Sequence, residues 1–257
     1  MLFRSIDVLY TQILQLAFQD TNGEQELYSR FRNVVGAVLL VFHPLSKKTL
    51  SNLLIHCGTP SHISTTLRFL HSLLNALDSE DEPIRFFHKS FPDFLTDRTR
   101  CKDDRFFIDP AVHHEDILSL CLRLMKKRLK RNICDLDDYA VLNEVNDLSA
   151  RWEEYIGSSL EYACRFWTRH LENVSGNEAH AQWVQGEMDE FFSKHLLCWI
   201  EVLSITGHLG GAVYAINHIR KWYTSVSYTG IHFCMMYSCV GIRQESSLVN
   251  SPSTVNV

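Results

Sequence analysis

No stretch of this 257-residue sequence is apolar for long enough to cross a bilayer. The two longest apolar runs, VVGAVLLVF at 34–42 and GIHFCMMYSCVGI at 230–242, fall well short of the roughly 20 residues a spanning helix needs. The N-terminus, MLFRSIDVLY, provides no secretory signal core, because Arg4 and Asp7 interrupt its apolar character. Also missing is any Cys-x-x-Cys pair. The eight cysteines stand singly at 57, 101, 121, 134, 164, 198, 234 and 239, which argues against a zinc site or a disulfide framework and for free thiols in a reducing compartment. The expectation is a soluble cytoplasmic chain with no membrane partner.

Charge of one sign is equally scarce. With 25 basic and 30 acidic residues the formal charge is −5, so nothing in the whole-chain electrostatics favours nucleic acid or an anionic membrane. The sequence contains no G-x-x-x-x-G-K-[ST], G-x-G-x-x-G, G-x-S-x-G or H-E-x-x-H, and so no phosphate loop, nucleophile elbow or zinc-protease helix. No internal repeat with a clean period is visible. No cofactor, no metal and no catalysis are therefore expected of this chain by itself.

What the sequence does have is apolar periodicity: 46% of its residues are hydrophobic, enough to bury a substantial core. Residues 3–19 place Ile6, Leu9, Tyr10, Ile13, Leu14 and Ala17 on one helical stripe. After a polar break, 26–42 reads as a second helix, apolar all round in its later half and therefore central. Ser46 can cap a third helix over 47–57, and Ser61 or Ser64 a fourth over 62–77. Two runs rich in aromatic and branched residues, PIRFFH at 83–88 and RFFID at 105–109, read as short strands on either side of the helix SFPDFLTD at 90–97. Helices in helix-turn-helix spacing followed by a strand pair predict a winged helix. From 110 the chain reads as one long helix to 134, then helices around 140–156, 158–172, 180–206 and 209–222, stacked as an antiparallel array burying Trp152, Trp167, Leu196 and Trp199. From Thr224 onward helical periodicity is lost.

Three constellations carry chemistry. His88 stands at the seam between a strand-like run and an aromatic helix, where a satisfied core histidine competes with a functional one. HHED at 113–116 sets two histidines beside two carboxylates, but neighbours on a helix point about 100° apart, so at most His113 and Asp116 can share a metal that needs three or four ligands. KKRLKR at 126–131 offers a phosphate-binding or nuclear-localisation patch, set against the plainer expectation of a solvated face near a helix C-terminus. Two rival readings use these residues. One is a winged-helix DNA-binding regulator working through 62–77 and KKRLKR, although 62–77 offers one arginine, Arg68, and a leading His62 and is otherwise largely apolar. The other is a hydrolase pairing His88 or His113 with Asp93 or Asp116, which lacks any oxyanion or metal-completing motif.

LYTQIL at 9–14, FRNVVGAVLLVFHPLSKKTLSNLL at 31–54, TLRFLHSLL at 66–74 and PIRFFHKSFPDFLTD at 83–97 together resemble the signal-transducing NTPases with a NACHT domain, in particular the large fungal NACHT and WD-repeat proteins of the heterokaryon-incompatibility type. The resemblance continues through RCKDDRFFID, HHEDILSLCLRLM, LKRNIC, LEYACRFWTRHL and KHLLCWIEVLSITG, and covers about 9–220. It implies a mainly α chain: the end of a helical lid over 1–22, a winged-helix domain with a short β-hairpin over 23–109, and a helical domain with an antiparallel array over 110–222. Residues 223–257 resemble no family segment, and a divergent, poorly ordered tail is expected there. The Walker motifs and WD repeats of the family are absent from the sequence. The implied role is therefore a non-catalytic regulatory and scaffold segment that gates a nucleotide held by an NTPase core and couples it to sensor repeats. ADP/ATP or GDP/GTP would be bound by that core, and the implied partners are the core, the repeats and further copies on activation. In related switches a histidine ending a winged-helix strand reaches the β-phosphate of ADP, and FFHKSFPDFL is similar to that motif with His88 in the matching place. Lys89 stands where plant and apoptotic versions carry an aspartate.

Overall fold

A computed structural model describes residues 2–19, 25–55, 63–75, 78–137, 146–174 and 178–226. It is mainly helical. In chain order the helices are α1 (Leu2–Ala17), α2 (Gln25–Leu40), α3 (Lys47–Leu54), α4 (Ile63–Arg68), α5 (Ser90–Thr96), α6 (Pro110–Arg128), α7 (Leu148–Arg151), α8 (Gly157–Glu172), α9 (Glu178–Lys194), α10 (Leu196–Ile205) and α11 (Gly210–Val226). No helix among the described residues is long and apolar enough to cross a membrane.

Capping chemistry fixes two of the starts. Ser46 accepts the Thr49 amide at 3.2 Å and opens α3, as its place before KKTL predicts. Asp109 accepts the Ala111 amide at 3.0 Å and is followed by Pro110, whose missing N–H costs nothing in a first turn. Ser64 lies inside α4 and so caps nothing, while Ser61 lies outside the described residues.

The expected β-hairpin and winged helix are corrected: among the described residues no strand forms. The chain at 83–87 is extended, but it makes only two isolated antiparallel bridges, Ser46 to Pro83 and Leu74 to Phe86. Its backbone is shared between neighbours, with the Ile84 amide on the Leu45 carbonyl, the Asn75 amide on the Arg85 carbonyl and the Phe87 amide on the Leu73 carbonyl. Pro83 has no amide to give, so no ladder can extend. The second run, at 105–109, opens in a turn over 104–106 and continues as irregular chain. Asp103 accepts the Arg105 amide at 3.0 Å and pairs with its guanidinium at 2.7 Å, while its carbonyl takes the amides of Phe106 and Phe107. The turn drives Phe106 into an aromatic cluster with Phe18, Tyr28 and Phe31 at centroid separations of 5.4 to 5.6 Å. Burial of that ring outweighs the β propensity of its neighbours.

Other boundaries shift for local reasons. The helix expected over 62–77 ends at Arg68 and passes into turns over 69–73. α6 stops at Arg128 rather than 134. Asn132 there adopts φ 50°, its side chain bridges to both backbone groups of Leu136, and the Glu201 carboxylate from α10 accepts the amides of Asn132 and Ile133 at 3.1 and 2.8 Å. Of the helix expected around 140–156, residues 138–145 lie outside the described set; α7 runs into a wide π-turn over Trp152–Ile156, ended by Gly157 at φ 62°. The span 180–206 breaks at His195 into α9 and α10. α11 continues to Val226, past the point at which helix was expected to stop, and the remainder of the tail lies outside the described residues.

Among the described residues one apolar core runs from Tyr10, Leu14 and Phe18 on α1 to Ile219 and Tyr223 on α11, while Leu9, expected on the same stripe of α1, is exposed. α6 is central to it, packed on α2 and more extensively on α8. In the second half Trp167 and Trp199 are fully buried with rings 6.0 Å apart, whereas Trp152 and Leu196 are half-buried at its margin.

Candidate functional site

His88 lies on the loop that enters α5, and it is exposed. Its Nδ1 faces back into the fold, 2.6 Å from the Ser90 hydroxyl and 3.0 Å from the Ser90 amide. The Ser90 hydroxyl is in turn 2.5 Å from that of Tyr10, a buried residue of α1. Tyr10 is fixed by packing against Phe91 and Phe94, at 5.0 and 5.6 Å between centroids. One turn earlier on α1, Asp7 accepts a bidentate grip from Arg100, with Nη2 at 2.6 Å and Nε at 3.2 Å from both carboxylate oxygens. That contact raises the Arg100 pKa above its ordinary value. Two polar links thus pin α1 across both ends of α5. Sequence reasoning located His88 but missed Ser90 and Tyr10; the available signal was a serine two residues beyond the histidine at a helix start, a spacing suited to local side-chain to backbone bonding. Asp93 is exposed and makes no contact with His88.

The two histidines of HHED part company. His113 is buried over Gly36 of α2, and its Nδ1 lies 3.7 Å from Asp116. Burial, reinforced by the Arg32 charge, pushes its pKa down to about 4. His114 turns instead towards α8. Its Nδ1 meets Nδ1 of His170 at 2.8 Å, and His170 Nε2 meets the Tyr162 hydroxyl at 2.8 Å, which also receives the Phe42 amide at 3.3 Å. Burial lowers the pKa of both His114 and His170, the latter to about 3 with the His114 and Arg169 charges contributing, and raises that of Tyr162. Among the described residues no group of three or more His, Cys, Asp and Glu side chains is disposed to hold a metal ion.

Much of the basic run is spent on structure. Lys126 bridges Glu187 and Glu190 of α9 at 2.9 and 2.5 Å, Arg128 donates to the Tyr155 carbonyl, and Lys130 lies over the Tyr155 ring. The six-residue α4 buries Ile63, Thr66 and Leu67, leaving no long charged face to enter a groove. A cavity of about 400 Å³ opens between α8, α10 and the start of α11, with Arg165, Arg169, Trp199 and His208 on its walls; none of His88, Asp93, His113, Asp116 and the basic run 126–131 lines it.

No protein-family model matches the chain, and no solved structure matches it. The chain is 21% identical over 237 residues to vegetative incompatibility protein HET-E-1 of Podospora anserina, a match covering 85% of this chain and 17% of that protein. The chain therefore spans less than a fifth of the curated relative's length.

Proposed function

We propose that this chain is a non-catalytic regulatory and scaffold segment of a NACHT-type NTPase switch, of the kind used in heterokaryon incompatibility. Its partners are the nucleotide-binding core and repeat domains of a longer protein, and further copies on activation. ADP or ATP, or the guanine pair, belongs to the core, as does any hydrolysis. The tightly packed array from α6 to α11 acts as the lever that transmits the nucleotide state, and His88 senses it. The likeness to HET-E-1 over most of the chain supports the setting. The observation that carries the sensing role is the disposition of His88: exposed, anchored through one ring nitrogen, with no hydrogen bond among the described residues at the other. A nitrogen so placed can contact a phosphate oxygen and lose it when domains rotate apart.

The test is ADP release from a protein in which this segment follows its nucleotide-binding core. A hydrogen bond to a charged oxygen contributes about 1.5 to 3 kcal/mol, so His88→Ala should speed ADP release by roughly ten to a hundredfold. His71→Ala, exposed and bonded only to the Arg68 carbonyl, should leave it unchanged. An unaltered release rate for His88→Ala ends the sensing role.

A further inference from the structure

The bonds around His88 determine which of its nitrogens carries hydrogen. The Ser90 amide is a donor with its hydrogen fixed by the backbone, and it aims at His88 Nδ1 across 3.0 Å. A hydrogen on Nδ1 would set two hydrogens face to face, so Nδ1 is the bare, accepting nitrogen and Nε2 carries the N–H. The hydroxyls follow the same direction. Buried Tyr10 needs an outlet for its O–H, donates it to Ser90 at 2.5 Å, and leaves Ser90 to donate to His88 Nδ1 at 2.6 Å. The Ser90 hydroxyl and the Ser90 amide thus both converge on the Nδ1 lone pair, and Tyr10 directs the first of them.

From this directed chain we infer that Ser90 and Tyr10 are positioning residues that present His88 outward as an Nε2–H donor, and hence that the exposed edge of the ring accepts only a hydrogen-bond acceptor such as a phosphate oxygen. The inference rests on the sensing role given above but makes a stronger chemical statement. An Nε2 that carries hydrogen has no lone pair for a metal and cannot take a proton from a nucleophile, so the same geometry opposes a metal ligand or a general base at this position. It also places part of the device on α1, where Tyr10 bonds to Ser90 and Asp7 pairs with Arg100 just beyond α5, so displacing α1 would remove the Tyr10 donor and loosen the ring that Ser90 holds.

The chain can be tested without nucleotide. A long-range proton–nitrogen NMR correlation of His88 in the 257-residue chain should show hydrogen on Nε2 and a hydrogen-bonded, unprotonated Nδ1. Ser90→Ala should move Nδ1 towards the value of a free ring nitrogen, Tyr10→Phe should move it less, and Ser90→Thr should restore it. Hydrogen on Nδ1 in the parent protein, or a His88 spectrum unchanged by Ser90→Ala, overturns the inference. Joined to its nucleotide-binding core, Ser90→Ala should quicken ADP release about fivefold, the equivalent of one ordinary hydrogen bond, and Ser90→Thr should reverse this. If the NMR result holds while His88→Ala leaves ADP release unchanged, the sensing role has failed and the positioning stands; if the spectra fail while His88→Ala accelerates release, the reverse is true.

Discussion

His114 of α6 and His170 of α8 meet through like atoms, Nδ1 to Nδ1 at 2.8 Å, inside the most extensive helix–helix contact among the described residues. Only one hydrogen fits between two such nitrogens. His170 can donate it while its Nε2 accepts from Tyr162, and His114 then keeps its own hydrogen on Nε2. Phe42 packs against both rings, and the Arg169 guanidinium lies 4.0 Å from the centre of Phe42, so a positive charge on His170 would be opposed by that of Arg169.

Stability should therefore fall on acidification well before the carboxylates titrate. His113 and His170 have folded pKa values of about 4 and about 3, against an ordinary 6.5, and that of His114 is also lowered. A depressed histidine pKa means that the unfolded chain takes up protons first. The stabilisation is complete above pH 6.5, and is lost as pH falls from there towards 4 and then 3. Each of the two larger shifts corresponds to a few kcal/mol at most. Urea midpoints measured at pH 7 and pH 5 should drop steeply for the parent protein. His170→Gln should be weaker at pH 7 and show a shallower drop; an identical slope would remove His170 from the effect.

Gly36→Ala pits helix propensity against packing. Alanine in a helix interior gains about 1 kcal/mol over glycine. Here, however, the added Cβ would come within 2.9 Å of Nδ1 and 3.0 Å of Cγ of His113, whose ring is buried and has little room to retreat. Overpacking of that kind costs roughly 1 to 3 kcal/mol, so the net change should be destabilising, and thermal melting should show a lower midpoint. A higher midpoint would mean that His113 yields easily and that its burial is not restrictive.

The helices were legible where one face decides them. α1, α2, α3, α8 and α11 follow apolar spacing and capping residues that any reader of the chain can mark, as with Ser46 ahead of Lys47. The failures occurred where a distant partner decides. RFFID has the residues of a strand, but Asp103 and the aromatic cluster fold its start into a turn. The turn after α6 has a local signal in Asn132, which the apolar periodicity of the segment masks, and a distant one in Glu201, about 70 residues away, which the sequence does not display. The candidate site divides in the same way. His88 could be selected by its place in FFHKSF, whereas the hydroxyl of Tyr10, 80 residues from Ser90, becomes part of the site only through the packing of α1 on α5. His170 was invisible because a histidine in CRFWTRHL looks like any other helix residue until α6 is laid against it.

Glu201 gives the last prediction. Its two carboxylate oxygens each take one backbone amide, from Asn132 and Ile133, in a turn whose left-handed Asn132 leaves those donors without helical partners. Hydrogen bonds to an ionised acceptor contribute about 1.5 to 3 kcal/mol, and an amide left half-buried without a partner costs a similar amount. Glu201→Gln keeps one acceptor oxygen and replaces the other with an NH2 group facing an N–H, so it should lose most of the contact while preserving size. Glu201→Ala removes both acceptors but opens a path for water. The expected order of urea midpoints is parent, then Ala, then Gln, with Gln lower by about 2 kcal/mol of unfolding free energy. Amide exchange at Asn132 and Ile133 should accelerate in both variants while exchange in the middle of α8 changes only by the global loss. Unchanged protection of those two amides would mean that the turn holds its own shape and that α6 ends for a reason local to its sequence.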